Sequence, residues 1–261
     1  MNKLKVASWN VNSVRARLDI LLNWIKETDP DILLLQELKA RNDDFPFHAF
    51  ENLNYNIKIN GQKSYNGVAI LSKFPLSDIE NNLPEYNDQQ ARYIEAWVNL
   101  KNTGFRIASI YAPNGNPLHS EKYTYKLDWL DNFYNHAIKL LDNEEKIILA
   151  GDYNICPSKT DVANENMILN DAVYQTEVIN IYKKICNNGY FDAFRRLYDD
   201  IAGFTYWDYG RAYQNNLGIR IDHFLLSSYA MDILDDIHVD ENPRKKSKTS
   251  DHAPIIASFN I

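Results

Sequence analysis

The sequence predicts a mixed α/β protein, and three observations carry that class. Short apolar runs recur and end in polar residues, the clearest being Lys146 to Ala150 running into Gly151-Asp152-Tyr153-Asn154. Continuous apolar runs of this length form strands buried on both faces. Amphipathic stretches of helical period lie between them, the best from Lys126 to Leu141. Pairs of strand-like segments are joined by Asn and Gly turns, as in Tyr55 to Ile59 with Val68 to Leu71 through Asn60-Gly61. No linker, internal repeat or low-complexity tract divides the chain, and 261 residues fall within the range of a large single domain, so one domain over residues 1–261 is expected.

In order, Leu4 to Trp9 reads as the first strand and ends in Asn10-Val11-Asn12. Ser13 takes the N-cap position of a helix with Val14, Leu18, Leu21, Leu22 and Ile25 on one face. Arg15 and Arg17 then fall in its first turn, where the helix dipole does not favour cations; a role outside the helix or plain solvation accounts for them. Asp29-Pro30 breaks the helix, and Ile32 to Leu35 is a second strand running into Gln36-Glu37. Glu37 follows four apolar residues, an unusual place for a carboxylate without a role, although exposed strand ends often carry Glu. Ile94 to Leu100 pairs with Phe105 to Tyr111 through the turn Asn102-Thr103-Gly104, and the second strand exits into Ala112-Pro113-Asn114-Gly115. A Tyr at such an exit more often packs than reacts.

The helix from Lys126 carries an apolar stripe of Leu127, Leu130, Phe133, Tyr134, Ala137, Ile138 and Leu141. In the strand that follows, Gly151 permits a sharp turn, and the two-residue period puts Asp152 and Asn154 on the same side. An Asx turn closing that strand is the plain alternative. Pro157 to Ala172 is polar and unassigned; helical patterns return at Val178 to Cys186 and Asp192 to Asp199. Phe204, Tyr206, Trp207, Tyr209 and Tyr213 crowd one region together with Arg211. A strand from Ile219 to Leu226 holds Asp222 and His223, and a basic run from Arg244 to Lys248 leads into Thr249-Ser250-Asp251-His252 and a last strand.

Net charge is −7, so no global field draws in a polyanion; nucleic-acid binding would need local basic patches or cations held among the acids. Cys156 and Cys186 stand in neither a metal spacing nor a disulfide framework, which suits reduced thiols. No apolar run reaches the roughly 18 residues of a membrane span, and the start of the chain lacks a secretory pattern. A cytoplasmic protein with no membrane partner is expected.

Several strands thus end in polar groups able to converge: Asn10, Glu37, Tyr111, Asp152 with Asn154, Asp222, and Asp251 with His252. Carboxylates with amide oxygens suit a hard divalent cation such as Mg2+ or Mn2+, and no Cys/His set suggests zinc. A His beside such a metal, oriented by an Asp and surrounded by amide and hydroxyl donors, suits hydrolysis of a phosphate ester. His48, His119, His136, His223 and His238 read as surface or core residues, and only His252 sits in a cluster.

Trp9-Asn10-Val11-Asn12, Leu35-Gln36-Glu37, Gly67-Val68-Ala69-Ile70, Tyr111-Ala112-Pro113-Asn114-Gly115, Gly151-Asp152-Tyr153-Asn154, Arg220-Ile221-Asp222 and Ser250-Asp251-His252 appear in one order. In that order the chain resembles the exonuclease III family of apurinic/apyrimidinic (AP) endonucleases, within the endonuclease/exonuclease/phosphatase superfamily. The resemblance implies a four-layer αββα sandwich, two packed mixed β-sheets flanked by helices, with the site where strand ends and loops meet at one edge. It implies Glu37 as the main metal ligand with Asp251 near the metal, Asn10 in the ligand set and Asn12 supporting that shell. It implies Asp152 as the residue that orients or deprotonates the attacking water and Asn154 as the one holding the phosphate. Asp222 would orient His252, His252 would contact the scissile phosphate, and Tyr111 would bind the phosphate or aid the leaving oxygen.

The implied reaction is Mg2+-dependent cleavage, with Mn2+ a possible substitute, of the phosphodiester 5′ to an abasic deoxyribose in double-stranded DNA. It leaves a 3′-hydroxyl, and repair of blocked 3′ ends and 3′→5′ exonuclease activity accompany it; the alternatives are that the exonuclease predominates, or that the enzyme is a phosphoesterase acting on lipid or small-molecule phosphates. The partner is DNA, the oligomeric state a monomer, and the place the cytoplasm, on the nucleoid. Tyr206, Trp207, Ile219 and Ile221 stand where the family has a small pocket for a flipped-out baseless sugar, which costs less to extrude than a normal nucleotide; a core aromatic is the equal alternative for Trp207. Arg92, Asn114, Lys126, Arg211, Arg220 and the run from Arg244 to Lys248 are candidate DNA contacts, a solvated basic loop being the plainer reading of the run. A phosphoinositide phosphatase would show Pro-x-Trp-Cys-Asp-Arg, which is absent. A secreted deoxyribonuclease would carry an export signal and disulfides, and a non-catalytic descendant would have lost acidic residues that this chain keeps.

Overall fold

The computed structural model describes residues 3–101 and 103–261, so Asn102, in the expected turn before Gly104, lies outside the described residues. The strands are β1 (Lys3–Asn10), β2 (Ile32–Gln36), β3 (Asn56–Asn60), β4 (Val68–Ser72), β5 (Leu76–Glu80), β6 (Tyr93–Asn99), β7 (Gly104–Tyr111), β8 (Ile147–Asp152), β9 (Phe191–Asp192), β10 (Asp222–Leu226), β11 (Leu234–Val239) and β12 (Ile255–Asn260). The helices are α1 (Leu18–Thr28), α2 (Phe47–Glu51), α3 (Glu121–Leu141), α4 (Thr176–Asn187), α5 (Ala193–Leu197) and α6 (Ser228–Met231).

The strands form two six-stranded sheets, ordered β11-β12-β1-β2-β4-β3 and β5-β6-β7-β8-β10-β9. Each is mixed, with one parallel pair (β1 with β2, β7 with β8) among antiparallel neighbours. Leu4, Val6, Ile32, Leu34, Val68 and Ile70 of the first sheet meet Ile94, Ala96, Phe105, Ile107, Ile148 and Ala150 of the second in one core. Alternate residues face outward. Ala7, Trp9, Leu33 and Leu35 pack under α1 and α2, and Ala108, Ile110, Ile147 and Leu149 under α3 and α4. Period-2 strands sandwiched by amphipathic helices give the four layers that the family resemblance implies. Among the described residues no helix is long and apolar enough to cross a membrane.

Three local expectations are corrected. Ser13 is not the N-cap of α1, which starts only at Leu18, after Arg15 and Arg17; its Oγ accepts the Ala16 N–H at 3.4 Å in the turn that precedes the helix. The expected stripe of the helix after Lys126 is rotated: α3 begins at Glu121 and buries Lys126, Trp129, Leu130, Phe133, His136, Ala137 and Leu140. Gly151 is no turn; β8 continues through it to Asp152, and a Cβ there would lie 2.0 Å from the Ile110 carbonyl oxygen of β7. The glycine is required by close strand approach.

Candidate active site

β1, β2, β7 and β8 end at the same edge of the sandwich, and β10 and β12 begin there, because β10 runs antiparallel to β8 and β12 antiparallel to β1. Tyr111 pairs with Asp152, and Asp152 with Asp222. Chain exits there adopt left-handed backbone at Asn12 (φ 46°), Glu37 (φ 51°), Lys39 (φ 51°) and Asn154 (φ 50°). Such conformations persist only where surroundings fix them, and they gather at working sites.

The fully buried Asn10 joins the two sheets. Its Nδ2 donates to Glu37 Oε1 at 3.0 Å and to Asp152 Oδ2 at 2.9 Å, while its Oδ1 accepts from the Asn12 N–H at 3.0 Å. Asn10 thus turns its nitrogen toward the two acids and its oxygen toward the Asn12 N–H. Asn12 Nδ2 donates to Asp251 Oδ1 at 3.0 Å, which leaves Asp251 Oδ2 open. Lys39, which the sequence reading passed over, places Nζ 2.7 Å from Glu37 Oε2 and 2.7 Å from Asn12 Oδ1. A cation two residues after a strand-end carboxylate was the available signal. An ammonium held between a carboxylate and a carboxamide oxygen shows that these donors favour a cation, so the residues fit a hard metal. Burial pushes Glu37 up, but hydrogen bonds from Asn10 and Lys39 outweigh it and hold the carboxyl below its usual range.

Asp152, Asp222 and His252 form the second half of the site, with candidate ligand atoms all within 4.8 Å of one another. His252 Nδ1 bonds Asp222 Oδ2 at 2.8 Å, and its Nε2 faces Asp152 Oδ2 at 3.7 Å. Burial alone would depress His252, but Asp222 and Asp152 outweigh it and raise the imidazole to about 10. Burial pushes Asp152 up, to about 7, with Asp222 adding to the rise and His252 and Asn10 opposing it. His252 is held by Asp222 at one nitrogen and faces Asp152 at the other, an arrangement suited to acid–base chemistry. Asp152 Oδ1 accepts from the Asn154 N–H at 2.9 Å, the Asx turn the tetrapeptide allowed, and Asn154 Nδ2 donates to the Ala112 carbonyl. Burial, then the charges of Glu37 and Asp152, keep the Tyr111 phenol well above its ordinary range.

The remaining expected residues divide. Ile219 and Ile221 pack with Cys156, Val162, Ile168 and Val173, and Tyr206 closes against this cluster with its ring 4.9 Å from that of His252. Trp207 faces the other way, buried against Phe204 and Tyr213, and is corrected to a core aromatic. Arg92 lies over the Tyr111 ring at 5.0 Å; Asn114 and Arg211 are exposed. Lys126 is corrected, for it is fully buried and its Nζ holds the carbonyls of Asn114 (3.1 Å) and Asn154 (2.6 Å). Arg220 is corrected likewise: it is fully buried, with Nε 2.6 Å from Asp161 and Nη2 2.8 Å from Asp192. Neither reaches the protein surface.

Buried carboxylates, carboxamides and an Asp-bonded imidazole gathered at converging strand ends suit phosphoester chemistry, and the comparisons agree. Residues 7–252 match the endonuclease/exonuclease/phosphatase family, and the chain belongs to it. Exodeoxyribonuclease III of Haemophilus influenzae is 32% identical over 98% of this chain and all of its own. An AP endonuclease structure from Archaeoglobus fulgidus superposes with TM-score 0.93 at 34% identity, covering 99% of this chain and 100% of that one. A Neisseria 3′ phosphatase bound to a product DNA hairpin gives TM-score 0.93 at 33% identity, covering 99% and 100%. The chain is therefore an enzyme of the nuclease and phosphodiesterase type, in a family whose chemistry depends on metal.

Proposed function

We propose that the protein is a DNA-repair AP endonuclease. It hydrolyses the phosphodiester 5′ to an abasic site in double-stranded DNA, leaves a 3′-hydroxyl, and also repairs blocked 3′ ends and removes nucleotides 3′→5′. One observation carries the reading: Asn10 ties Glu37, just after β2 of one sheet, to Asp152 of the other, beside the apolar cluster of Ile219 and Ile221 that Tyr206 closes. Relatives named for DNA repair and exonuclease activity support it.

A divalent cation supplies charge for the phosphate oxygens and the leaving oxygen; Glu37 and Asp251 would hold it, with Asn12 beside them. The donors are oxygens, which favours Mg2+, with Mn2+ as substitute. Asp152 takes the proton of the attacking water, its raised pKa suiting a base near neutral pH. The His252 imidazolium, fixed by Asp222, and the second amide hydrogen of Asn154 meet the non-bridging oxygens. Tyr111, kept protonated, donates toward the departing O3′. The protein acts as a single catalytic domain and a monomer on DNA in the cytoplasm.

A second emphasis, chiefly 3′→5′ exonuclease, is favoured by the equal structural likeness to a 3′-5′ exonuclease from Neisseria meningitidis. Two end-labelled duplexes, one with a single abasic-site analogue and one intact, tested with Mg2+ and with EDTA, decide. The endonuclease reading expects one nick 5′ to the lesion, lost in EDTA. A ladder from the 3′ end of both duplexes makes the enzyme chiefly an exonuclease, and no cleavage of either rejects the proposal.

A further inference from the structure

Beside the catalytic cluster, but separate from it, lies a cavity of about 200 Å³. Arg244, Lys246, Lys248, Thr249, Tyr209 and Tyr213 line it, and no carboxylate does. In a chain of net charge −7, three cations around a small hollow with no acid in its wall are a local reversal of sign. Arg106 and Arg220 each sit against two carboxylates; Arg244 has none among the described residues. Its guanidinium instead donates to the carbonyls of Ser250 and Trp207 and lies over the Tyr213 ring at 5.2 Å. Burial holds it below the usual arginine range. Arg244 and Thr249 are 9% and 5% exposed, and each keeps one buried polar atom without a partner, Nε and Oγ1. Buried donors without partners are costly, and a cationic charge without an acid more so, unless an anion completes them. Lys246 has one ion pair, with the exposed Glu27 at 3.7 Å, outside the cavity wall.

From this juxtaposition we infer that the Arg244–Lys246–Lys248–Thr249 cavity is an anion site that holds one backbone phosphate of the DNA, distinct from the scissile one. The inference rests on the DNA reading above and adds a second grip on the same substrate. Thr249 is three residues from His252, so their Cα atoms are at most about 10 Å apart. A DNA strand carries a phosphate every 3.4 Å of helix axis, so a duplex with its scissile group at His252 has another phosphate within reach of the cavity. Tyr209 links the two places: its ring lines the cavity, and its hydroxyl accepts from Asn12 Nδ2 at 2.8 Å.

Lys246 and Lys248 are exposed, so a Lys246→Ala/Lys248→Ala double variant should fold with an unchanged melting temperature. Its binding to an uncleaved duplex in EDTA would be followed across salt concentration against the unmodified chain. Capture of one phosphate by both lysines predicts that the slope of log K against log salt shrinks by about 0.9. Between 50 and 200 mM salt the variant would then lose roughly threefold less affinity than the parent. An unchanged slope in a parent that binds DNA overturns the inference, as does a change near twice that size, which means two independent contacts. If the parent binds no DNA, the DNA reading fails separately. Inorganic phosphate titrated against the full chain then decides: shifts of the Thr249 and Lys248 amide resonances, lost in the double variant, sustain the anion site, and their absence overturns it.

Discussion

Asn10 carries more of the site than its size suggests. It has one amide nitrogen, and both hydrogens go to carboxylates on different sheets. Removing it leaves buried Asp152 short of a donor, and a hydrogen bond to a charged group contributes about 1.5–3 kcal/mol. Asn10→Ala should therefore lower single-turnover cleavage by roughly tenfold or more; a rate within twofold of the parent contradicts the linking role. Glu37 should show in the metal requirement instead. Glu37→Gln keeps the shape and the Asn10 contact but removes the charge, so the Mg2+ concentration for half-maximal rate should rise by at least about tenfold. An unchanged titration removes Glu37 from the metal seat.

At the scale of elements, the segment from Pro157 to Ala172 resisted assignment because its order comes from a buried ion cluster and not from periodicity. Asp161 sits in a short turn there and bonds Arg220 just before β10; Arg220 in turn reaches Asp192 and His223. Arginine only donates and a carbonyl only accepts, so His223 accepts at Nδ1 and donates from Nε2 to Ile155. It is neutral, and burial together with Arg220 pushes it down to about 4. Below the ordinary value near 6.5 the unfolded chain takes a proton that the folded one refuses. The His223 contribution to stability should therefore fall by roughly 3 kcal/mol between pH 6.5 and 4, while Asp152, raised to about 7, contributes in the opposite sense over the same range. Burial opposes charge on Asp161 and Asp192, but Arg220 outweighs it and holds both low, so their contribution is present above about pH 4 and lost below it. Denaturant midpoints at pH 7.5 and 4.5 check this: His223→Gln should flatten the decline, and a parallel decline rejects the assignment. Arg220→Met, which strands two buried carboxylates, should cost about 3–5 kcal/mol.

The elements also show what the sequence could reveal. β1, β2, β4, β7 and β8 are legible in the sequence because each is a run of residues buried on both sides, and their polar exits mark the site. β5 and β11 were missed. Both lie at sheet edges, half exposed and rich in Ser and Asp, so neither shows an apolar face. The corrections to Lys126 and Arg220 share one cause. Sequence gives a side chain's charge but not its burial, and these cations hold carbonyls or acids inside the fold.

Across the whole molecule, the second sheet supplies Tyr111, Asp152 and Asp222, the first supplies Asn10, and the segments that follow β2 and precede β12 supply Glu37, Asp251 and His252. Neither sheet alone makes the site, and Asp152 is where both meet. Asp152→Asn keeps the size and the bond from the Asn154 N–H while abolishing the base, and losing such a base costs about 10²–10⁴ in rate. Single-turnover cleavage of an abasic duplex in Mg2+, measured beside binding of the same duplex in EDTA, is the most direct test. The account predicts unchanged or tighter binding with cleavage reduced by at least about a hundredfold. A variant that binds and still cleaves at the parental rate would contradict it.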